Sequence, residues 1–351
     1  MNRSSQPLVS IVTPVYNGAE YLSECIESVL AQTYQNWEYT IVNNRSTDDS
    51  MEIARRYAAR DGRIRIYDNE RFLQVIANHN VALRQISPAS KYCKFVFADD
   101  WIFRECIERM VAVAEEFPSV GIVGAYVLEG QEVKCAGLPY QTARFNGREI
   151  CCRHLLNHLY VFESANAVLY RADLVRNKPA FYNENNIHAD TEVCFELLKT
   201  NDFGFVHQIL TYTRVRSESL KASSIDLQTA HAGLLQILLT HGPDYLTQNE
   251  LDRLLRNHIS NYYAFLGKSL LLGQKRALDY HRGKLVEAGV GFSWSRVVLG
   301  TLSTIWGLAL NPLSAAKKLL KTEDKPTLSG GTQNELSGSI AANVVDSRRR
   351  K

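Results

Sequence analysis

The stretch PLVSIVTPVYNGAEYLSECIESVLAQ, residues 7–32, decides the fold class. It opens with a continuous apolar run of strand length, which is typical of a strand buried on both faces of a parallel sheet. Apolar residues then recur at helical spacing, at Leu22, Ile26, Val29 and Leu30. A buried strand followed at once by an amphipathic helix is the repeating unit of an α/β sheet.

Outward from this stretch, strands and helices keep alternating along the first part of the chain. Further strands are predicted at NWEYTIVNN (36–44), RIRIYDN (63–69), KYCKFVFA (91–98) and VGIVGAYVL (120–128), with helical segments between them. This spacing predicts an α/β fold with a Rossmann-like, mostly parallel sheet and helices on both faces. In the more mixed region that follows, FGFVHQILTYTRV (203–215) predicts paired strands.

The C-terminal part has a different pattern. After residue 225 the apolar periodicity is helical, and from residue 327 the chain is rich in Ser, Gly and polar residues and ends in SRRRK. We therefore predict a domain at 1–220, a helical C-terminal region at 221–320 and a disordered tail at 321–351.

Composition limits the functions to consider. Of 351 residues, 45% are hydrophobic and 22% are charged, as in an ordinary globular protein, and the net charge of +3 gives no support for nucleic acid binding. The seven cysteines form no C-x-x-C pair, which favours free thiols in a reducing compartment. With no signal-peptide core and no uncharged apolar run of about 18 residues, we expect a cytoplasmic protein.

Three polar clusters follow predicted strands. Residues 14–17 follow the first strand, 43–48 the second, and Asp99 with Asp100 the fourth. Ligands of such sheets bind outside the carboxyl ends of the strands, so we expect the clusters to share one rim. Two adjacent carboxylates repel each other, which predicts a cation at that place. The alternative is a solvated turn in which an aspartate caps the helix that starts near Phe103.

The phosphate-binding glycine motifs are absent. The turn after the first strand reads TPVYNGAEY (13–21), with one glycine where G-x-G-x-x-G would bind a dinucleotide, and G-x-x-x-x-G-K-[ST] does not occur. A diphosphate bound at this rim therefore needs a divalent cation to meet its charge. Mg²⁺ and Mn²⁺ prefer oxygen ligands, and Asp99 and Asp100 supply carboxylates that point opposite ways along a strand.

The stretch VSIVTPVYNGAEYLSECIESVLAQTYQNWEYTIVNNRSTDDS, residues 9–50, resembles the opening of the family 2 glycosyltransferases, which have the GT-A fold. The matching features are the strand end at 14–17, the turns at 32–34 and 46–48, and FADDW at the place of the D-x-D-type metal motif. The resemblance covers about residues 7–220. It implies inverting transfer of a sugar from a nucleotide-sugar donor, with Mg²⁺ or Mn²⁺ as cofactor.

The same resemblance implies the partners and the setting. We expect a UDP-sugar as donor, a glycan or lipid-linked acceptor, and a role in surface polysaccharide or glycan assembly. Such a role implies work in the cytoplasm or at the inner face of the membrane.

The resemblance also assigns roles to residues at the rim. Pro14 and Tyr16 would line the nucleotide base, and Asn44 would accept a hydrogen bond from it. Asp99 would lie near the ribose or the donor sugar, and Asp100 would bind the metal.

Further roles fall beyond the rim. Asp190, in HADTEV, matches the catalytic base, with Glu192 as a competitor and an acidic residue placed by the helix dipole as the alternative. His79 lies at a donor-binding position that often holds arginine. Arg214 and Arg216 fall in a segment that resembles the one near the donor phosphates.

The sequence departs from the family pattern in ways that keep alternatives open. Asn43 and Asn44 stand where Asp-Asp or Asp-Asn is usual, and Arg45 replaces a small residue. A catalytically degenerate member that binds partners or glycans is therefore a second hypothesis. A nucleotidyltransferase is a third, although it would prefer a basic, Gly-rich loop after the first strand.

Two further segments have alternative interpretations. His154 and His158, four residues apart on a predicted helix, have zinc-ligand spacing, but a packed or solvated pair is the simpler hypothesis. Residues 297–310 are uncharged and follow Trp294 and Arg296. This segment is short for a membrane span, and it predicts an interfacial helix at a membrane surface or a helix packed on the main domain or in an oligomer contact.

Overall fold

A computed structural model of the chain describes residues 6–156, 158–215 and 227–310. Arg216, the start of the predicted helical region at 221–226, its end at 311–320 and the predicted tail at 321–351 lie outside the described residues.

One mixed sheet forms the centre of the protein. Its strands are β1 Val9–Val15, β2 Trp37–Asn43, β3 Ile64–Asp68, β4 Tyr92–Phe95, β5 Trp101–Ile102, β6 Val120–Glu129, β7 Glu132–Lys134, β8 Arg144–Phe145, β9 Val168–Arg171 and β10 Asp202–Thr213. The main path runs β3-β2-β1-β4-β9-β6-β10-β5, with β7 beside β6 and β8 beside β10. Pairs β1–β2, β1–β4, β2–β3 and β6–β10 are parallel, and β9 is antiparallel to both its neighbours.

Helices cover both faces of the sheet and form the C-terminal region. They are α1 Ala19–Leu30, α2 Ser50–Ala58, α3 Val75–Arg84, α4 Cys106–Glu116, α5 Gly147–Leu155, α6 Ala172–Arg176, α7 Ala189–Leu197, α8 Ala230–Tyr245, α9 Gln248–Leu271, α10 Lys275–Glu287 and α11 Trp294–Leu310. The predicted α/β class, GT-A-like sheet and C-terminal helices are confirmed.

The apolar run that opens the chain is apolar because β1 is buried on both faces. Ile11 and Val15 pack into a cluster on one side of the sheet with Leu22 of α1, whereas Val12 packs into the cluster on the other side with Phe195 of α7. Alternate side chains of a strand point to opposite faces, so a central strand between two helical layers has buried side chains at every position. These are apolar or, like Ser10 and Thr13, hydrogen-bonded within the protein.

The prediction of paired strands at 203–215 is wrong. Residues 203–213 of this segment lie in the single strand β10, which runs beside β6 with register shifts between Val206 and Ile209 and between Ile209 and Thr211. The polar pair His207 and Gln208 interrupts the apolar pattern as a turn would. In the structure the interruption is an irregularity within one strand, where extra residues are accommodated without a reversal.

The C-terminal helices have an apolar cluster of their own. It contains Leu235 of α8, Tyr262 and Leu266 of α9, Leu285 of α10 and Val297 of α11. The start of α9 is fixed by a capping box between Thr247 and Glu250. Over the described ranges, no helix has both the length and the apolar character needed to cross a membrane.

Candidate active site

The cleft opens where β4 separates from β1. The parallel pairing of the two strands ends at Val12 with Phe95, and the last backbone bond between them is from Val96 N to the Val12 carbonyl. Val15 bonds instead toward β2, through Asn44 N. The backbone of Pro14 therefore points to the same side as that of Val12, toward the edge of β1 that β4 no longer covers. Proline has no N–H, and at this edge no hydrogen bond is lost.

The turns after β1 and β2 are fastened to each other. The Asn17 side chain accepts from Thr47 N at 2.8 Å, and Gly18 N donates to Ser50 Oγ at 2.9 Å. Asp48 accepts from Ala19 N and from Ser50 N, so it holds the starts of α1 and α2 together. Burial alone would raise the pKa of Asp48, but these hydrogen bonds outweigh it and lower the pKa. Asp48 therefore acts as a cap for the two helices and not as a metal ligand.

Asn44 is buried and fully engaged. Its Oδ1 accepts from Leu73 N and from Asn69 Nδ2, both at 2.9 Å, and its Nδ2 donates to the Leu73 carbonyl at 2.8 Å. A carbonyl oxygen has two lone pairs, so both are used within the protein. The predicted role of Asn44 as a direct acceptor from the base has no support in these contacts. The amide instead ties the end of β2 to the loop that carries Phe72.

Two aromatic rings stand on that rim. Tyr16 and Phe72 are each 51% exposed, and their rings meet edge-on with centroids 4.8 Å apart. Exposed aromatic faces are the platforms on which nucleobases stack. The structure therefore places Tyr16 where a base could lie and adds Phe72, which the sequence analysis does not include.

The two aspartates after β4 lie in different surroundings. Asp100 is 4% exposed, and its two oxygens accept from Arg214 N and from Asn166 Nδ2, both at 2.9 Å. Asp99 is half-buried. Helix α4 begins six residues later, and its N-terminal flanking residue Glu105 makes no side-chain cap. The alternative of a solvated capping turn is therefore wrong for Asp100.

Ionisation of the Asp100 carboxyl is unfavourable in the folded protein. Burial, followed by the nearby charge of Asp99, raises the pKa of the Asp100 carboxyl to about 7, although the two hydrogen bonds oppose the shift. A carboxylate in this state gains from an arriving cation. The repulsion predicted from the sequence is thus present at this strand end.

Arg214 lies beside the two aspartates and pairs with an acidic residue of α1. Its Nε donates to the Asp99 carbonyl at 3.1 Å, and its terminal nitrogen pairs with Glu24 of α1. Its guanidinium lies over the rings of Tyr21 and Trp101, at 4.2 and 5.3 Å from their centroids. Arg214 therefore contacts the two aspartates through its backbone as well as its side chain. Arg216 lies outside the described residues.

A buried lysine is linked to Asp100 through Asn166. Lys94 is fully buried in β4, and its Nζ donates to the Asn166 carbonyl at 2.7 Å. Asn166 is itself fully buried and gives its side-chain amide to Asp100. Burial lowers the pKa of Lys94. The sequence shows Lys94 as a charged residue in an apolar strand, but Asn166 carries no signal because its partner is 66 residues away.

His79 forms part of an aromatic floor rather than a cationic contact. Its ring stacks on Phe97 with centroids 5.1 Å apart and lies 6.3 Å from Tyr182. Burial lowers the pKa of His79 to about 4, so the ring is neutral near pH 7. A neutral ring cannot supply the charge of the arginine that the resemblance associates with this position.

Asp190 is half-buried in the first turn of α7. Burial raises its pKa, with the His188 charge and the bond from Thr191 N acting against the shift and the Glu163 charge adding to it. Helix α7 packs through Ala189 and Val193 into the same apolar cluster as Phe95 of β4, the strand that precedes Asp99 and Asp100.

The competitor Glu192 is engaged elsewhere. Its carboxylate accepts a hydrogen bond from Asn186 Nδ2 at 3.0 Å. Asp190 is therefore the carboxylate of this turn that suits a proton acceptor, because a raised pKa is the property of a general base.

The donor set fits a cation that also binds substrate. In the part of the chain that the structure describes, no three His, Cys, Asp or Glu residues converge as a closed metal site. Asp99 and Asp100 are hard oxygen donors, and Mg²⁺ is commonly bound by one or two carboxylates with substrate phosphates and water completing the shell. The pair His154 and His158 diverges, since His154 is buried beside Phe162 while His158 is exposed.

Comparison with known proteins identifies the domain. Residues 10–177 match the family described as Glycosyl transferase family 2. This part of the chain belongs to the family 2 glycosyltransferases. GlyA of Streptococcus pneumoniae, a glycosyltransferase, is 35% identical over 118 residues, which cover 34% of this chain but only 16% of GlyA. GlyG of the same organism is 25% identical over 283 residues, covering 78% of this chain and 90% of GlyG.

Solved structures show the same fold at low identity. S. aureus TarS 1–349 in complex with UDP-GlcNAc superposes with a TM-score of 0.58 and 16% identity, covering 82% of this glycosyltransferase and 85% of the TarS chain. The mannosyltransferase PcManGT of Pyrobaculum calidifontis, in complex with GDP-Man and Mn²⁺, gives a TM-score of 0.53 and 17% identity over 92% and 90% of the two chains.

Proposed function

We propose that this family 2 glycosyltransferase moves a sugar from a nucleoside diphosphate sugar to an acceptor hydroxyl with inversion at the anomeric carbon. One observation carries the proposal. The half-buried Asp190 lies on α7, whose Ala189 and Val193 share one apolar cluster with Phe95 of β4, the strand that precedes Asp99 and Asp100. This pairs a proton acceptor with an anionic site for a cation and a diphosphate.

Asp190 acts as the general base. It takes the proton of the acceptor hydroxyl while the oxygen attacks the anomeric carbon from the face opposite the leaving diphosphate. The C–O bond to the acceptor forms as the bond to the diphosphate oxygen breaks, so one displacement inverts the configuration. A positioned base gives about 10²–10⁴-fold in rate. No side-chain nucleophile is required, and the transition state has oxocarbenium character.

Asp100 would hold the divalent cation, Mg²⁺ or Mn²⁺, and Asp99 would face the ribose or the donor sugar. The cation, when bound, neutralises the charge that develops on the departing diphosphate. Asn166 and Lys94 keep Asp100 in place, and Arg214 adds a cationic side chain at the same rim. The Mn²⁺ complex of the fold neighbour PcManGT supports this choice of ion.

The nucleotide lies on the other half of the rim. Pro14, Tyr16 and Phe72 form its base contact, and Asn44 acts on the base indirectly by holding the loop with Phe72. A UDP-sugar is the proposed donor, because the TarS neighbour binds UDP-GlcNAc. The acceptor is a glycan or lipid-linked saccharide of surface polysaccharide assembly, made on the cytoplasmic side of the membrane.

The second hypothesis is a degenerate member that binds a glycan or partner without catalysis. The observation in its favour is the amide pair Asn43 and Asn44, which stands where acidic residues are usual and whose contacts are internal. A panel of UDP- and GDP-sugars, assayed for Mn²⁺-dependent thermal stabilisation and for release of nucleoside diphosphate, separates the two. Stabilisation with release supports the enzyme, and stabilisation by glycans alone supports the binding protein.

A further inference from the structure

Helix α11 is held on α9 by direct backbone contact. A Cβ added to Gly300 would lie 2.3 Å from the Tyr263 carbonyl oxygen, and one added to Gly267 would lie 2.3 Å from Thr301 N. Thr301 Oγ1 also donates to the Gly267 carbonyl at 3.3 Å. These close approaches need glycine on both helices, so the side of α11 that faces α9 is fixed.

The opposite side of α11 is apolar and exposed. At about 100° per residue, six apolar residues share one arc of about 140°. They are Trp294, Val298, Leu299, Leu302, Ile305 and Trp306, which are between 46% and 69% exposed. A set of this size on one helix face is larger than the scattered apolar residues of an ordinary surface.

The surroundings of this face are basic. Helix α11 contains no acidic residue, and Arg296 lies beside the arc. From Lys268 to Leu310, where the described residues end, there are six Lys and Arg and two acidic residues. The part of the chain that contains this helix is therefore basic.

We propose that the exposed face of α11 docks the enzyme on an anionic membrane surface, with the helix lying in the plane of the interface. Its 17 residues span about 26 Å, and Trp294 and Trp306 lie near its two ends, about 18 Å apart along the axis. Tryptophan favours the interface, the leucines between them enter the acyl boundary, and the basic residues meet anionic headgroups. A lipid-linked acceptor would then be delivered to the enzyme in two dimensions.

Charge favours lipid over a second copy of the chain as the occupant. A two-fold contact through α11 would bring the same face of each protomer together. A second copy of α11 would offer Arg296 no acidic partner, so its charge would stay unpaired at the rim of the apolar contact. Anionic headgroups complement this charge.

Flotation of the full chain with vesicles tests the proposal. The probes are phosphatidylcholine vesicles and vesicles with about 30% phosphatidylglycerol, in low salt and in 0.5 M NaCl. We expect binding to the anionic vesicles that weakens in high salt. The Leu299→Glu/Leu302→Glu variant should lower the bound-to-free ratio by at least about ten-fold, because two leucines leave the interface and two charges enter. Tyr140→Glu, at an exposed apolar residue of the sheet domain, should bind like the wild type.

Fluorescence quenching and light scattering distinguish membrane binding from a contact between two copies of the chain. Brominated lipids should quench the fluorescence of Trp294 and Trp306, and this quenching should be lost when both are replaced by Phe. Equal flotation of the wild type and the double Glu variant overturns the proposal, as does absence of wild-type binding. A wild-type dimer in light scattering that the double Glu variant converts to a monomer would assign the face to a second copy instead. Vesicle binding needs no donor, so failure here leaves the proposed transfer reaction untouched.

Discussion

At the ends of β1 and β2, polar groups satisfy one another, whereas at the end of β4 two adjacent carboxylates repel each other. Asn17, Asp48 and Asn44 bond to backbone and side chains of the two turns, and the neighbouring surface is two aromatic rings. After β4, Asp100 is buried beside Asp99 with a pKa of about 7. The first half makes its hydrogen bonds within the protein, and we expect a bound cation to stabilise the second further.

This difference suits the two halves of the site, the ends of β1 and β2 and the end of β4, to different functions. A surface whose hydrogen bonds are internal selects a ligand by shape and stacking, and it costs little reorganisation on binding. A buried like-charge pair is strained in the protein alone and favours a ligand of opposite charge. Substitutions on the charged half should therefore act on chemistry and cation binding, and those on the neutral half on donor affinity and local stability.

The largest effect is expected at Asp190. Asp190→Asn should reduce transfer by about 10²–10⁴-fold while donor binding is kept, because the amide cannot accept the acceptor proton. The measurement is nucleoside diphosphate release in the presence of acceptor, with the donor Kd from calorimetry. Glu192→Gln, two residues along the same helix, is the matched control and should retain most activity. Near-normal turnover of Asp190→Asn would remove Asp190 from the mechanism.

Asp100 should make stability depend on pH. Its pKa is about 7 in the folded protein and near 3.8 in an unfolded chain, so between about pH 4 and pH 7 the folded state holds a proton that the unfolded state has lost. The contribution of Asp100 to stability therefore falls as pH rises through this window, by an amount on the order of 2–4 kcal/mol. Urea unfolding at several pH values should show this fall in the wild type and not in Asp100→Asn.

Mn²⁺ provides the complementary test of the same side chain. Added Mn²⁺ should restore wild-type stability at pH 8 by binding the ionised carboxylate, and chelation should reverse it. Asp100→Asn should respond far less to the ion and should lose Mn²⁺-dependent donor binding in calorimetry. An equal response of wild type and variant would place the cation elsewhere.

A smaller effect is expected at Asn44. Asn44→Ala removes three hydrogen bonds to Leu73 and Asn69 and should lower the free energy of unfolding by about 1–3 kcal/mol. Because the loop with Phe72 is released, donor affinity should fall as well, while the response to Mn²⁺ in the absence of donor stays unchanged. Weaker folding with unchanged donor affinity would show that Asn44 supports the fold alone.

The sequence predicts the fold more completely than it predicts the contacts of the site. The run from Val9 to Val15 predicts a strand buried on both faces because a central strand has no polar face, and that prediction is confirmed. The strand-end rule also finds Asp99 and Asp100 without any contact information. The paired strands at 203–215 are wrong because a polar interruption such as His207 and Gln208 looks the same in sequence whether it reverses the chain or shifts its register.

Contacts between distant segments explain what the sequence could not supply. Asn44 has the chemistry of a base acceptor, but its partner is the backbone of Leu73, and a backbone contact leaves no pattern in sequence. Asn166 reaches Asp100 only because β9 lies next to β4 in the sheet. Phe72 carries a weak signal, as an aromatic residue in the charged loop NERFLQ at 69–74, and a search of strand-end loops for exposed aromatics would have included it.

The smallest and most specific effect is expected at Phe72. Stacking of a base on an aromatic ring contributes about 1–3 kcal/mol, so Phe72→Ala should weaken donor binding by roughly 5- to 150-fold. Phe72 is half-exposed, so the unfolding free energy should change little. Phe72→Trp should keep donor affinity, because stacking needs only a flat aromatic face. If Tyr16 and Phe72 hold the same base, the double alanine variant should lose less than the sum of the two single losses, since each ring depends on the other to fix the base. Additive losses would mean that the rings contact the donor independently, and no loss at either ring would move the base off this half of the rim.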